Sequence, residues 1–145
     1  NFDKLFDALE DKTLKPKQGI FYDGEVFDAY VFINDLIKIA VDEIILIDNY
    51  IDETVFIIFS KYPNIKIKIY TKTITKQLKL DFQKYQTQYK NIELFEFKNS
   101  HDRFLIIDKK EVYHLGASLK DLGKKWFAFS KFEIENLKIL DYLKK

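Results

Sequence analysis

The segment Glu43 to Asp48 reads EIILID, a run of isoleucine and leucine bounded by acids. A run this short and apolar at both parities is expected as a strand covered on both faces, since a wet face would show polar alternation. Its neighbours supply the covering layers. Val26, Ala29, Tyr30, Ile33, Leu36, Ile37 and Ala40 keep the three-and-four rhythm of an amphipathic helix before it. After it, Asp52 is placed to cap a helix over Thr54 to Tyr62 that Pro63 and Asn64 end. Ile65, Ile67 and Ile69 alternate with Lys66, Lys68 and Tyr70, the pattern of a strand with one wet face. Leu78, Phe82, Tyr85 and Tyr89 then give a helix behind a cap at Thr75.

Ile92 to Phe97, Phe104 to Asp108, Val112 to Leu115 and Trp126 to Phe132 read as further strands, with Ile20 to Tyr22 as an early short one. Lys109 and Lys110 are placed to join two of them as a hairpin, and Glu135 to Leu143 carries helical spacing. Strands alternating with helices, followed by a strand-rich end, imply an α/β sandwich with a mixed, mostly parallel central sheet flanked by helices.

At 145 residues the chain has the length of one compact domain. Phe2, Leu5, Phe6 and Leu9 suggest a lead-in helix, with Pro16 and Gly19 in the connector behind it. The expected division is therefore 1–19 as lead-in and connector and 20–145 as the domain. A start at Asn1 rather than Met is expected of a piece of a longer protein. No apolar run approaches the ~20 residues of a membrane-spanning helix, no signal segment is visible, and a cytoplasmic protein is expected. With no cysteine and two histidines, a Cys/His zinc site is excluded, and no cofactor or metal is expected.

The net charge of +1 hides an asymmetry. Through Glu53 there are 13 acids and 5 lysines, whereas the remainder carries 19 bases and 10 acids. Such a division can give one face a field that gathers phosphate, or simply two solvated faces. Lys66, Lys68, Lys72, Lys76 and Lys79 form a candidate phosphate-facing stripe under the first reading and an ordinary wet surface under the second.

Motif spacing excludes several classes of chemistry. The four glycines, at 19, 24, 116 and 123, make no phosphate loop. No nucleophile elbow and no HExxH occurs. What remains is SHDRFLIIDKKEVYHLGASLKDLGKKWFAF from Ser100, which holds both histidines, the single arginine and the single tryptophan. If His101 to Asp108 is one strand, His101 and Arg103 share a face ~6.5 Å apart, while Asp108 has the opposite parity and a structural or supporting role. An imidazole can act as nucleophile or acid, and a guanidinium can grip two phosphate oxygens. The bland alternative has His101 in a polar turn, Arg103 paired with a surface carboxylate and Asp108 closing the strand. His114, between Tyr113 and Leu115, reads as a core or edge residue.

His101, Arg103, Asp108, Gly116 and Ser118 together resemble the HxK(x)4D and trailing GSxN signature of the phospholipase D superfamily. The single copy in a small domain is similar to the bacterial endonuclease branch, in which two identical subunits build one active site. HDRFLIID with GASLKDLGKKWFAF further resembles C-terminal domains of phage-antirepressor-like and virulence-associated bacterial proteins, where a DNA-binding domain precedes this one.

The resemblance implies that His101 is the nucleophile that forms a phosphohistidine, with the same histidine of a second subunit protonating the leaving oxygen. It places Arg103, Ser118 and Lys120 on the phosphate, Arg103 standing for the family's lysine and Lys120 for its asparagine. Glu133 is placed where a carboxylate orients the histidine, and Asp108 matches the motif aspartate. Nucleic-acid phosphodiesters are the implied substrates, acted on or bound at a homodimer interface with no membrane partner. The alternative is a catalytically weak or inactive dimerisation or ligand-sensing module attached to a DNA-binding domain.

Overall fold

The computed structural model describes residues 18–133 and 138–143. The lead-in helix, the connector up to residue 17 and part of the helix expected over Glu135 to Leu143 lie outside them.

The chain runs β1 (Gln18–Phe21), α1 (Val26–Ile39), β2 (Glu43–Ile47), α2 (Glu53–Ser60), β3 (Lys66–Thr71), α3 (Lys76–Gln86) and β4 (Ile92–Glu96). It continues through β5 (Arg103–Ile107), β6 (Glu111–Leu115), a 3-10 turn (Leu119–Asp121), β7 (Phe127–Phe132) and α4 (Ile139–Leu143). The strands form one sheet in the order β1-β7-β6-β5-β2-β3-β4.

Every residue of β2 is buried, as its apolar run requires. Full burial of Ile44, Leu46 and Ile47 contributes ~1.5–3 kcal/mol each. The Asp52 carboxylate accepts from the Thr54 amide at 3.0 Å and starts α2. The Thr75 hydroxyl accepts from the Leu78 amide at 3.1 Å and starts α3.

The layers are unequal. The α1, α2 and α3 helices bury Ile33, Leu36, Phe59 and Leu78 against the face carrying Ile44, Leu46, Ile67, Ile69 and Leu105. On the other face Leu143 of α4 packs over Ile45, Ile47, Ile106 and Val112, with Phe104 and Phe132 beside them.

The sheet is mixed, but it is not mostly parallel. Only β2–β3 and β3–β4 pair in parallel; β2–β5, β5–β6, β6–β7 and β7–β1 are antiparallel. A parallel return requires a crossover long enough to bring the chain back to its starting end. The helices α2 and α3 provide that for β3 and β4, but no α-helix lies between β4 and β5 or between the strands that follow, up to β7. The chain therefore crosses the ends of β3 and β2 through residues 97–102 and runs back down as β5. That crossing segment carries His101 over the C-terminal ends of the parallel strands.

The β5–β6 hairpin turns through Asp108 (φ 53°) and Lys109 (φ 57°), both left-handed, and the Lys110 amide donates to the Ile107 carbonyl at 2.9 Å. This is the twist a tight antiparallel hairpin prefers.

Candidate active site

Three loops meet at the C-terminal ends of the parallel strands: Asp48 to Tyr50 after β2, Ser100 to Arg103 entering β5, and Leu115 to Lys120 leaving β6. Ligand sites in open α/β sheets favour this end of the strands, where several loops converge.

Asp48 ties two of the loops together. It is fully buried, and its Oδ2 accepts from the Ser118 hydroxyl and from the Leu119 amide, each at 2.9 Å. Its Oδ1 accepts from the Tyr50 amide at 3.1 Å. Burial pushes the carboxyl above its ordinary range; the Leu119 and Tyr50 amides, the Ser118 hydroxyl and the Arg103 charge pull the other way without cancelling it. Asn49 fastens the third loop, donating through Nδ2 to the Ser100 carbonyl at 2.6 Å. The buried polar atoms Asn49 Oδ1 and Thr71 Oγ1, at this same end, have no partner among the described residues.

Arg103 opens β5, and extending the β2–β5 register by one residue sets it opposite Asp48. Its Nε donates to the Leu115 carbonyl at 3.3 Å and one terminal nitrogen to the Gly116 carbonyl at 3.0 Å. The surface carboxylate partner of the bland reading is not what it meets. Two carbonyls orient the fork and leave its remaining N–H donors for an anion. Gly116 itself packs closely on β7: a Cβ there would lie 3.1 Å from the Ala128 carbonyl oxygen and 3.2 Å from the Ala128 Cβ.

His101 precedes β5 in a bend rather than lying on the strand, so strand parity does not set its direction. Its side chain is exposed. The neighbouring Asp102 instead faces His114, with Oδ1 at 3.5 Å from Nε2. His114 is half-buried and stacks on Phe132 at 5.9 Å between ring centroids.

Ser118 belongs to the cluster but is not open to an anion. It is 3% exposed, its hydroxyl donates to Asp48, and its oxygen accepts from the Lys120 amide at 3.3 Å. Lys120 is half-buried, with its ammonium 5.8 Å from the Tyr50 ring centroid.

Two expected site residues lie elsewhere. Asp108 follows the far end of β5, where its carboxylate accepts from the amides of Val41 (3.0 Å), Asp42 (2.8 Å) and Glu43 (2.9 Å). Partial burial alone would raise its pKa, but the Glu43, Val41 and Asp42 amides and the Lys110 charge outweigh that and hold it below the ordinary range. Glu133 follows β7, whose Phe132 pairs with Val112, whereas Arg103 pairs with Leu115 at the opposite end of β6. The antiparallel return of β7 thus carries Glu133 away from His101, and the orienting role implied by the resemblance is not met by this geometry.

The lysine stripe is divided as well. Lys66 and Lys72 flank opposite ends of β3, and Lys68 lines a cavity of about 310 Å³ with Ile45, Tyr70, Lys109 and α4. Lys72, Lys98, Lys124 and Lys125 are exposed; the first two follow β3 and β4, and the last two precede β7. Among the described residues no three His, Asp or Glu side chains come together as a metal-ligand set, and no helix is long and apolar enough to cross a membrane.

Residue reasoning overlooked Asp48, Asn49 and Tyr50. Their signal was the acid that ends a fully apolar strand, since a charge following buried isoleucines needs donors from elsewhere in the fold.

No family model and no curated protein sequence matches the chain. Solved structures do. NucT from Helicobacter pylori superposes with a TM-score of 0.62 at 18% identity, covering 88% of this chain and 93% of that one. Nuc from Salmonella typhimurium, a phospholipase D family member, gives 0.62 at 15% identity, covering 90% and 93%. TrmBL2, an archaeal chromatin protein with a novel mode of DNA binding, gives 0.56 at 16% identity; the match takes in 99% of this chain and 59% of that one. The mixed seven-stranded sheet with its unequal helical layers is therefore the phospholipase-D-like fold.

Proposed function

We propose that this domain binds and hydrolyses nucleic-acid phosphodiesters, with His101 as nucleophile and Arg103 as the phosphate clamp. The observation that carries the reading is their placement. An exposed imidazole and a guanidinium oriented by two carbonyls stand at one end of the sheet, on a fold shared with a phospholipase D family member and with a chromatin protein that binds DNA.

In the proposed reaction an imidazole nitrogen of His101 attacks phosphorus, forming a P–N bond as the P–O bond to the leaving group breaks. The leaving oxygen takes a proton from His101 of a second copy. Water then attacks the phosphohistidine, giving its proton to that second imidazole and releasing the first. A two-fold axis suits this chemistry because it brings two copies of one residue together. Arg103 neutralises charge on the non-bridging oxygens, where most of the stabilisation in phosphoryl transfer arises. Asp48 and Ser118 hold the loop whose Gly116 carbonyl aims Arg103.

A second reading keeps phosphate binding without turnover, as a dimerisation or ligand-sensing module serving an upstream DNA-binding domain. It is favoured by the Ser118 hydroxyl being committed to Asp48 and by Glu133 standing at the other end of the sheet.

Cleavage of single-stranded DNA and of bis(p-nitrophenyl) phosphate in excess chelator separates the two. Activity that His101→Ala abolishes with folding intact supports hydrolysis. DNA binding without cleavage supports the module, and the absence of both sinks the proposal.

A further inference from the structure

We infer that Tyr50 and Trp126 are stacking platforms for unpaired nucleobases on either side of the phosphate held at Arg103, so that the site takes single-stranded nucleic acid. This rests on the phosphodiester reading above and specifies the form of its substrate.

Both rings are open: Tyr50 is 58% exposed and Trp126 is 56% exposed. They bracket the clamp. Trp126 immediately precedes β7, Tyr50 follows β2, and of the two intervening strands β6 ends at Leu115 and β5 begins at Arg103. Three strand spacings separate the two platforms laterally, roughly 14 Å, with the guanidinium between them.

Each aromatic residue is held in place. The Trp126 indole N–H donates to Asp23 Oδ1 at 2.6 Å, and its ring meets Tyr22 edge-to-face at 4.9 Å. The Tyr50 amide is pinned to Asp48, and Lys120 lies near its ring. A ring positioned in advance loses little freedom when a base stacks on it. Lys124 and Lys125 precede Trp126 in the chain and are exposed, and the Lys120 ammonium lies over the Tyr50 ring, so each aromatic has a cation beside it.

Alternating cations and open aromatic faces are the means by which proteins hold unpaired strands with little sequence preference. In a duplex the base faces are already covered by their neighbours, so both platforms would remain empty. DNA and RNA share the feature recognised, a base plane beside a phosphodiester.

The test is fluorescence anisotropy on the intact chain with labelled ten-nucleotide oligothymidylate, oligouridylate and an abasic strand of equal length. Oligothymidylate or oligouridylate should bind at least about tenfold more tightly than the abasic strand. Tyr50→Ala and Trp126→Ala should each lose about tenfold on the base-bearing strand and nothing on the abasic one, while Tyr50→Phe retains affinity. Fluorescence of the single tryptophan should be quenched by the base-bearing strand alone. Equal binding of base-bearing and abasic strands, or full affinity in both alanine variants, overturns the inference and leaves the phosphodiester reading intact. Failure to bind any strand ends both.

Discussion

The Ser118 hydroxyl donates to the Asp48 carboxylate at 2.9 Å, joining the end of β2 to the loop after β6 across 70 residues of chain. Because the Leu119 and Tyr50 amides converge on the same carboxylate, one buried acid sets the shape of two of the three loops around Arg103.

Removing that acid strips three donors of their acceptor. Asp48→Ala should lower stability by about 3 kcal/mol in urea unfolding, against about 1 kcal/mol for Ser118→Ala. The double variant should cost less than the sum, because both substitutions remove the same contact. Additive losses would show the two residues to be uncoupled.

Asp48 and Asp108 should respond to pH with opposite signs. The Asp48 pKa is raised in the fold, so its contribution is complete below an unfolded pKa of ~3.9 and diminishes as pH climbs through the raised value. The Asp108 pKa is lowered, so its contribution is present above ~3.9 and is lost as pH falls through the lowered value. Urea midpoints should therefore show Asp108→Asn weaker than wild type at neutral pH and closer to it in acid. Asp48→Asn should remove a loss of stability on the rising side of the carboxylate range. A constant gap across pH in both variants would contradict the assignment.

Arg103 acts through charge as well as geometry. Arg103→Ala should weaken binding to single-stranded DNA and reduce the magnitude of the slope of log affinity against log salt by about one. Arg103→Lys should keep that slope while losing affinity, because an ammonium lacks the planar fork that the Leu115 and Gly116 carbonyls orient. A slope unchanged in Arg103→Ala would remove Arg103 from the phosphate path.

Gly116 should tolerate little. Gly116→Val places branched carbons against Ala128, forcing β6 and β7 apart where Arg103 is aimed, at ~1–3 kcal/mol. Affinity for single-stranded DNA should fall with it. A variant of full stability and affinity would show that the close approach is not needed.

Local chemistry made much of the architecture legible in the sequence. The caps at Asp52 and Thr75, the doubly buried β2 and the alternation in β3 follow from side-chain period and from hydrogen bonds within a few residues. That Arg103 and the loop carrying Ser118 meet at one end of the sheet was also visible, because the hairpin joining them is short. The β5–β6 hairpin was legible too, but the antiparallel setting of β5 against β2 was not, since it depends on what the connection after β4 can reach. Nor was the fate of Glu133, which the antiparallel return of β7 carries to the far end of the sheet, or of Asp48, whose partners come from distant segments. Sequence alone determined which segments become helix or strand, because periodicity is a property of neighbours. Only the tertiary structure decided which charges share an end of the sheet, because strand order and direction are chosen by burial over the whole chain.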